Sequence, residues 1–380
     1  NMTSMISHLY QDHPEKKDGA YSLFYMGVNA GAFLGIMLCG YIGEKVSWSL
    51  GFGLAGIFMF LGMLQFFFTQ KIFGNVGLSA KQQRENKQEV REDNTPKKVI
   101  FDRMIVVFIF SIFTVFFWAA FEQAGGSMTI FADKYTQRIL EGNAGLSFKI
   151  IDAILTIVPL GVISFVLIKL FSKTFKKYST GNIILSASFI IIWGIVIWKI
   201  NREFTATETE VPATWFGILN SLFIICFAPL FSKWWESKYN LPGAVKFGLG
   251  LILLGLGFGF LAYGAASIVQ GQDFVRVSMV WLIMAYLFHT LGELCLSPVG
   301  LSYVSKLVPA KWIGMMFGVY YLFIAMGNKI AGSMGGMIEK ITLEYSLSTF
   351  FLIFTIIPIG LGIIISLMNP LIKKLMHGVR

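Results

Sequence analysis

Charge and cysteine are scarce in this chain of 380 residues. Only 14% of its residues are charged against 55% hydrophobic, and the mean hydropathy of +0.68 excludes the ordinary soluble globular class. The three cysteines, Cys39, Cys226 and Cys295, each lie inside an apolar run, which excludes a disulfide framework and a thiolate metal site. The four histidines form no metal-binding set: His8 and His13 sit in a polar opening stretch, His377 in the tail, and His289 alone within an apolar segment. His-Glu-x-x-His, Walker and Gly-x-Ser-x-Gly patterns are missing, so enzyme chemistry is not expected. Gly255, Gly257 and Gly259 resemble a nucleotide-binding glycine run only superficially, because they fall inside a long apolar helix.

Long apolar runs are what the chain has. Those near the roughly 20 residues needed to cross about 30 Å of hydrocarbon lie at 19–42, 48–69, 104–131, 150–171, 182–200, 213–231, 243–267, 278–297, 312–337 and 346–368. Unpaired backbone cannot face lipid, and barrel strands would alternate, so these predict helices and an all-α polytopic membrane protein embedded in a lipid bilayer. The net charge of +10 raises the question of nucleic acid, and its placement decides. Of the 31 Lys and Arg, 22 fall in the segments of one side, 8 in those of the other, and Lys329 within a span. That asymmetry is the positive-inside bias with both termini of the chain cytoplasmic, and a nucleic-acid partner is not expected.

The opening NMTSMISHLYQDHPEKKDG is polar, unlike a secretory signal, and the start at Asn1 without Met predicts sequence upstream. The longest polar segment, 70–103, carries mixed charge without apolar periodicity and predicts a cytoplasmic linker after the spans of 1–69. Glycines such as Gly31, Gly35, Gly248 and Gly250 predict close helix packing.

A carboxylic acid inside hydrocarbon is expensive, about 2.5–3.5 kcal/mol on insertion scales, and is kept where a cavity, a partner or a proton relieves it. Glu122, with Gln123, interrupts the otherwise uncharged Met104–Phe131 run, and Glu293 interrupts 281–298. Ser111, Trp118, Glu122 and Thr129 fall near one helical face, with Gly125 and Gly126 one turn on, where a helix can bend. His289, Glu293 and Ser297 recur every four residues and should point one way. Glu293 could exchange a proton or hold a cationic ligand, with His289 a weaker candidate for a relay, and Pro298 should end or kink that helix. Ser22, Tyr25 and Asn29 share a face of the first span, and Asn220 is a central amide of another. Each offers donor and acceptor to a ligand's amide or ammonium group, or to a neighbouring helix.

The segments FYMGVNAGAFLG (24–35), FFWAAFEQAGGSMTIFAD (116–133), VPATWFGILNSLFIICFAPLFSKWW (211–235) and TLGELCLSPVGLSYVSKLVP (290–309) resemble the signature segments of the proton-dependent oligopeptide transporters of the major facilitator superfamily. The resemblance implies two six-helix bundles with a central site opened alternately to each side. It also implies that the chain begins at the end of the fourth helix: 1–69 would hold helices five and six, and 104–380 the C-terminal bundle with a surplus, peripheral hairpin at about 150–200. It implies proton-coupled import of di- and tripeptides in a bacterial cytoplasmic membrane, with protons as the coupling ion and no other cofactor. Glu122 would be the proton-linked acid. Glu293 would receive the peptide amino terminus or pair with a lysine of the fourth helix, and Asn29 and Asn220 would bind the peptide backbone. Trp118 would wall the pocket, and Tyr321 would stand where many relatives carry a second tryptophan. Rival readings are the same fold carrying nitrate or a drug-like solute, and a membrane-embedded enzyme or receptor.

Overall fold

The structure, a computed structural model, describes residues 5, 9, 14–74, 95–268, 275–309 and 312–379, and the side chains of 14–23, 25 and 26 lie outside that description. In chain order the helices are α1 (Pro14–Lys45), α2 (Trp48–Thr69), α3 (Lys97–Phe121), α4 (Ser127–Tyr135), α5 (Gly142–Thr174), α6 (Ser179–Thr205), α7 (Ile218–Glu236), α8 (Gly243–Ala265), α9 (Val280–Leu307), α10 (Ile313–Gly336), α11 (Ile338–Glu344), α12 (Leu347–Leu367) and α13 (Asn369–Leu375). Two short strands, β1 (Ile139–Leu140) and β2 (Thr209–Glu210), and 3-10 turns at Gln70–Phe73, Glu122–Gly125 and Ala213–Gly217 complete the set. Among the described residues nine helical stretches are long and apolar enough to cross a bilayer. They match nine of the predicted runs, and the remaining run, 19–42, lies within α1. The middle of the polar linker, 75–94, lies outside the described residues, and its end belongs to α3, which starts at Lys97.

The chain divides into two compact units, one of 1–88 with 138–218 and one of 89–137 with 219–380. In the first, α1 packs on α2 and α6 runs along α2. The hairpin α5–α6 packs with α1 and α2, although in sequence it falls between helices of the other unit. Its neck is an antiparallel clasp that sets Ile139 opposite Glu210 and Leu140 opposite Thr209. Charges fasten the clasp to the end of α1. Lys45 pairs with Glu210, Arg138 Nη1 lies 3.2 Å from Glu210 and donates to the Val211 carbonyl at 2.7 Å, and Arg202 Nη2 donates to the Lys45 carbonyl at 2.7 Å. Glu44 accepts from the backbone N–H groups of Ala213 (2.8 Å) and Thr214 (2.6 Å). A carboxylate there satisfies donors that the start of a helical turn leaves open.

Deeper in the hairpin Lys199 and Asp152 form a buried ion pair. Trp215 Nε1 donates to the other oxygen of Asp152 at 3.0 Å, and the Lys199 ammonium sits 5.1 Å from the centre of the Tyr41 ring. Lys199, at the end of the predicted run 182–200, lies inside α6 and is 2% exposed, and a partner on α5 makes its burial tolerable.

In the second unit α8 is the central helix, packed on α9 and α12. Glycine sets the spacing. A Cβ added at Gly362 would lie 2.6 Å from the Gly248 carbonyl oxygen, and one at Gly292 2.6 Å from that of Gly250. Such closeness lets helix association in lipid rest on backbone contact. Phe247, Leu251, Leu254, Phe258, Phe350 and Phe351 fill the core between them. Proline ends neither α9 nor α12. Pro298 lies inside α9, which continues to Leu307, and this corrects the expectation that the helix stops there. Prolines are tolerated within packed membrane helices, where neighbours re-satisfy the freed backbone groups.

Candidate functional site

The predicted bend after Glu122 is present. α3 ends at Phe121, a 3-10 turn covers Glu122–Gly125, and α4 begins at Ser127. Gln123, which the sequence paired with Glu122 as a second polar intruder, holds this break together. Its side chain is fully buried, its Nε2 donates to the carbonyls of Ala119 (3.3 Å) and Ala331 (3.0 Å), and its Oε1 accepts from Ser127 Oγ at 2.7 Å. Thr129 donates to the Ala124 carbonyl at 2.8 Å. These side chains take up carbonyls that a continuous helix would have used. Ser111, buried higher on α3, donates to its own helix at the Val107 carbonyl (2.8 Å).

With Gln123 turned inward, Glu122 on the same turn points out and is exposed. Glu293 on α9 is half-buried and accepts from Asn220 Nδ2 of α7 at 3.0 Å. The same amide nitrogen lies 3.1 Å from Thr290 Oγ1, and Thr290 donates to the Tyr286 carbonyl at 2.7 Å. Glu122 and Glu293 are close enough to interact electrostatically. The structure therefore gathers Glu122, Asn220 and Glu293 of the expected set into one neighbourhood of the second unit. It also adds Thr290, which the sequence reading passed over although it opens the 290–309 segment.

The other expected residues fall as follows. Trp118 is half-buried, edge-on to Phe117 and Phe121 at 5.8 and 5.3 Å. Behind it stands Gly327, where an added Cβ would come within 3.0 Å of the Trp118 Cβ. Ser297 Oγ is buried with no hydrogen-bond partner among the described residues. Tyr321 is 55% exposed, while its neighbour Tyr320 is buried and receives a hydrogen bond from Thr114 at 3.2 Å. Asn29 is buried in α1, in the first unit. The side chains of Ser22 and Tyr25 lie outside the described residues.

His289 does not share the face of Glu293 as the four-residue spacing predicted. Its ring is buried against α8, 4.4 Å from the Phe258 ring centre, in space that only glycine at position 257 leaves open. Four residues offset an α-helix by only about 40°, so it is the neighbours that separate the two side chains: His289 packs into the space at Gly257, while Glu293 meets Asn220 of α7. Among the described residues no group of His, Cys, Asp and Glu is arranged to hold a metal ion.

Apolar helices of spanning length with a cluster of polar side chains set among them mark an integral membrane protein. Its fold, that of the major facilitator superfamily, is shared with solved structures. A crystal structure of a peptide transporter POT in complex with sulfate aligns with a TM-score of 0.69 over 100% of this chain and 73% of that chain, at 24% identity. A POT family transporter crystallised with 5-aminolevulinic acid aligns with a TM-score of 0.67 over 98% of this chain and 73% of that one, at 20% identity. The chain belongs to the POT family, whose profile matches residues 1–91 and 188–353. The stretch between those matches holds α3, Glu122 and α5. Among similar proteins, an uncharacterized transporter of Bacillus subtilis, YclF, is 30% identical over 100% of this chain and 72% of its own length. The peptide transporter YePEPT of Yersinia enterocolitica is 27% identical over 98% of this chain and 72% of its own length. A di-/tripeptide transporter of Lactococcus lactis subsp. cremoris is 25% identical over 100% and 73%.

Proposed function

We propose that this protein imports di- and tripeptides by proton-coupled symport, through alternating access, in a bacterial cytoplasmic membrane with both ends of this chain in the cytoplasm. The observation that carries the reading is the Asn220–Glu293 hydrogen bond of 3.0 Å beside Glu122 in a POT-family chain. A carboxylate held by an amide inside apolar helices is a receptor for a peptide ammonium group when charged, and a proton carrier when neutral. Glu122, exposed on the turn after α3, is the second acid and carries the coupling proton. In this proposal Asn220 holds Glu293 in place for the ligand, Trp118 walls the pocket, and Asn29, Tyr25, Ser297 and Tyr321 contribute contacts to the peptide. Protons are the coupling ion and no cofactor takes part. Peptide and proton bias the inward-open and outward-open states by binding them with different affinity.

The test is uptake of a labelled dipeptide into proteoliposomes. The proposal expects accumulation only when the gradient drives protons inward, and competition by unlabelled di- and tripeptides but not by free amino acids, nitrate or drug-like solutes. Gradient-independent uptake, or uptake indifferent to peptides, would contradict it.

A further inference from the structure

We propose that the start of α8, together with Trp235 at the end of α7, forms a binding site for a phosphate-type anion, supplied by the headgroup of an anionic phospholipid or by free phosphate. Lys246, in the first turn of α8, is only 9% exposed. Its ammonium lies 4.2 Å from the centre of the Trp235 ring and makes no hydrogen bond to any described residue. No carboxylate of the described residues forms an ion pair with it. The nearest acid along the chain, Glu236, is exposed and faces Ser232 at 3.4 Å.

A lysine side chain this buried is normally paired, and a helix N-terminus already carries the positive end of the helix dipole, where a cation is unfavourable. Lys246 breaks both rules at one place. A second, independent donor is also left over: Trp235 Nε1 is buried with no acceptor among the described residues. An ammonium held only against an aromatic face, an indole N–H without an acceptor and a helix N-terminus all suit the same partner, an anion with several acceptor oxygens. Trp234 and Trp235, stacked 4.5 Å apart, and the exposed Lys233 and Lys238 suit a membrane interface. The segment also lies on the side of the chain that carries most of the basic residues, where anionic headgroups and phosphate are attracted.

The experiment is a thermal-unfolding titration of the purified protein in neutral detergent with phosphatidylglycerol, with phosphatidylcholine, and with inorganic phosphate at constant ionic strength. The wild type is expected to be stabilised by phosphatidylglycerol and not by phosphatidylcholine. Lys246→Met should weaken the half-saturating concentration about tenfold, the loss of one charge-assisted bond, while Lys246→Arg retains the response. Trp235→Phe keeps the ring and deletes the N–H, so it should weaken the response by a smaller factor, and it decides the matter alone if Lys246→Met does not fold. Stabilisation by inorganic phosphate, competing with the lipid, assigns the site to free anions, and stabilisation by the lipid alone assigns it to headgroups. Absence of any shift from either ligand, or a wild-type response in both Lys246→Met and Trp235→Phe, overturns the proposal.

Discussion

Replacing Lys199 by Met tests whether the hairpin is welded to its unit by charge. The Lys199 and Asp152 side chains are 3% and 7% exposed, so removing the ammonium strands a carboxylate in an apolar setting. Breaking a buried pair from one side costs about 3–5 kcal/mol. Asp152 keeps its bond from Trp215 Nε1 at 3.0 Å, a charge-assisted bond worth about 1.5–3 kcal/mol, so the loss should fall near the lower end of that range, about 3 kcal/mol. Asp152→Asn should be of comparable severity, because the amide leaves the buried Lys199 ammonium without its counter-charge. The double variant Asp152→Leu/Lys199→Met leaves no buried charge, and should recover most of the loss, since apolar replacement of a whole buried pair is often neutral. The assay is reversible denaturant unfolding in mixed micelles, arranged as a double-mutant cycle. A single-variant cost below about 1 kcal/mol, the range of solvent-exposed pairs, would refute the reasoning, as would a double variant no better than either single one.

Other predictions rest on separate contacts. Asn220→Asp places a second carboxyl group against Glu293, so dipeptide KM should rise about tenfold or more in uptake assays, while Asn220→Ser, which keeps a donor, should lose less. Gly362→Ala drives a methyl group to within 2.6 Å of the Gly248 carbonyl and should destabilise the second unit by about 1–3 kcal/mol, read as a lower unfolding midpoint in detergent. Glu44→Ala uncovers the N–H groups of Ala213 and Thr214 and removes the carboxylate 4.0 Å from Arg138 Nη1, for a loss of about 1–2 kcal/mol, measurable in the same unfolding assay.

The helical architecture was legible because bilayer thickness translates directly into run length, and the bend after Glu122 was legible because Gly125 and Gly126 follow an acid in an otherwise apolar stretch. What composition hid was orientation. Glu122 and Gln123 are adjacent, and nothing in their order says that the amide turns inward to knit the break while the acid turns out. His289 and Glu293 lie four apart, yet the glycine at 257 draws the imidazole toward α8 while Asn220 draws the carboxylate toward α7. The Lys199–Asp152 pair was not foreseen, although its signal was present: Asp152 is a lone acid in one apolar run and Lys199 stands at the end of the next, and opposite charges in paired hydrophobic helices ask to be matched. The Tyr320–Tyr321 pair shows the same limit, for the buried tyrosine is the one that bonds to Thr114.

The account stands most directly on Glu122. In proteoliposomes, Glu122→Gln should abolish accumulation of dipeptide driven by an inward proton gradient while leaving peptide counterflow exchange at a substantial fraction of the wild-type rate. Undiminished gradient-driven accumulation by that variant would contradict the assignment of the coupling proton to this carboxylate.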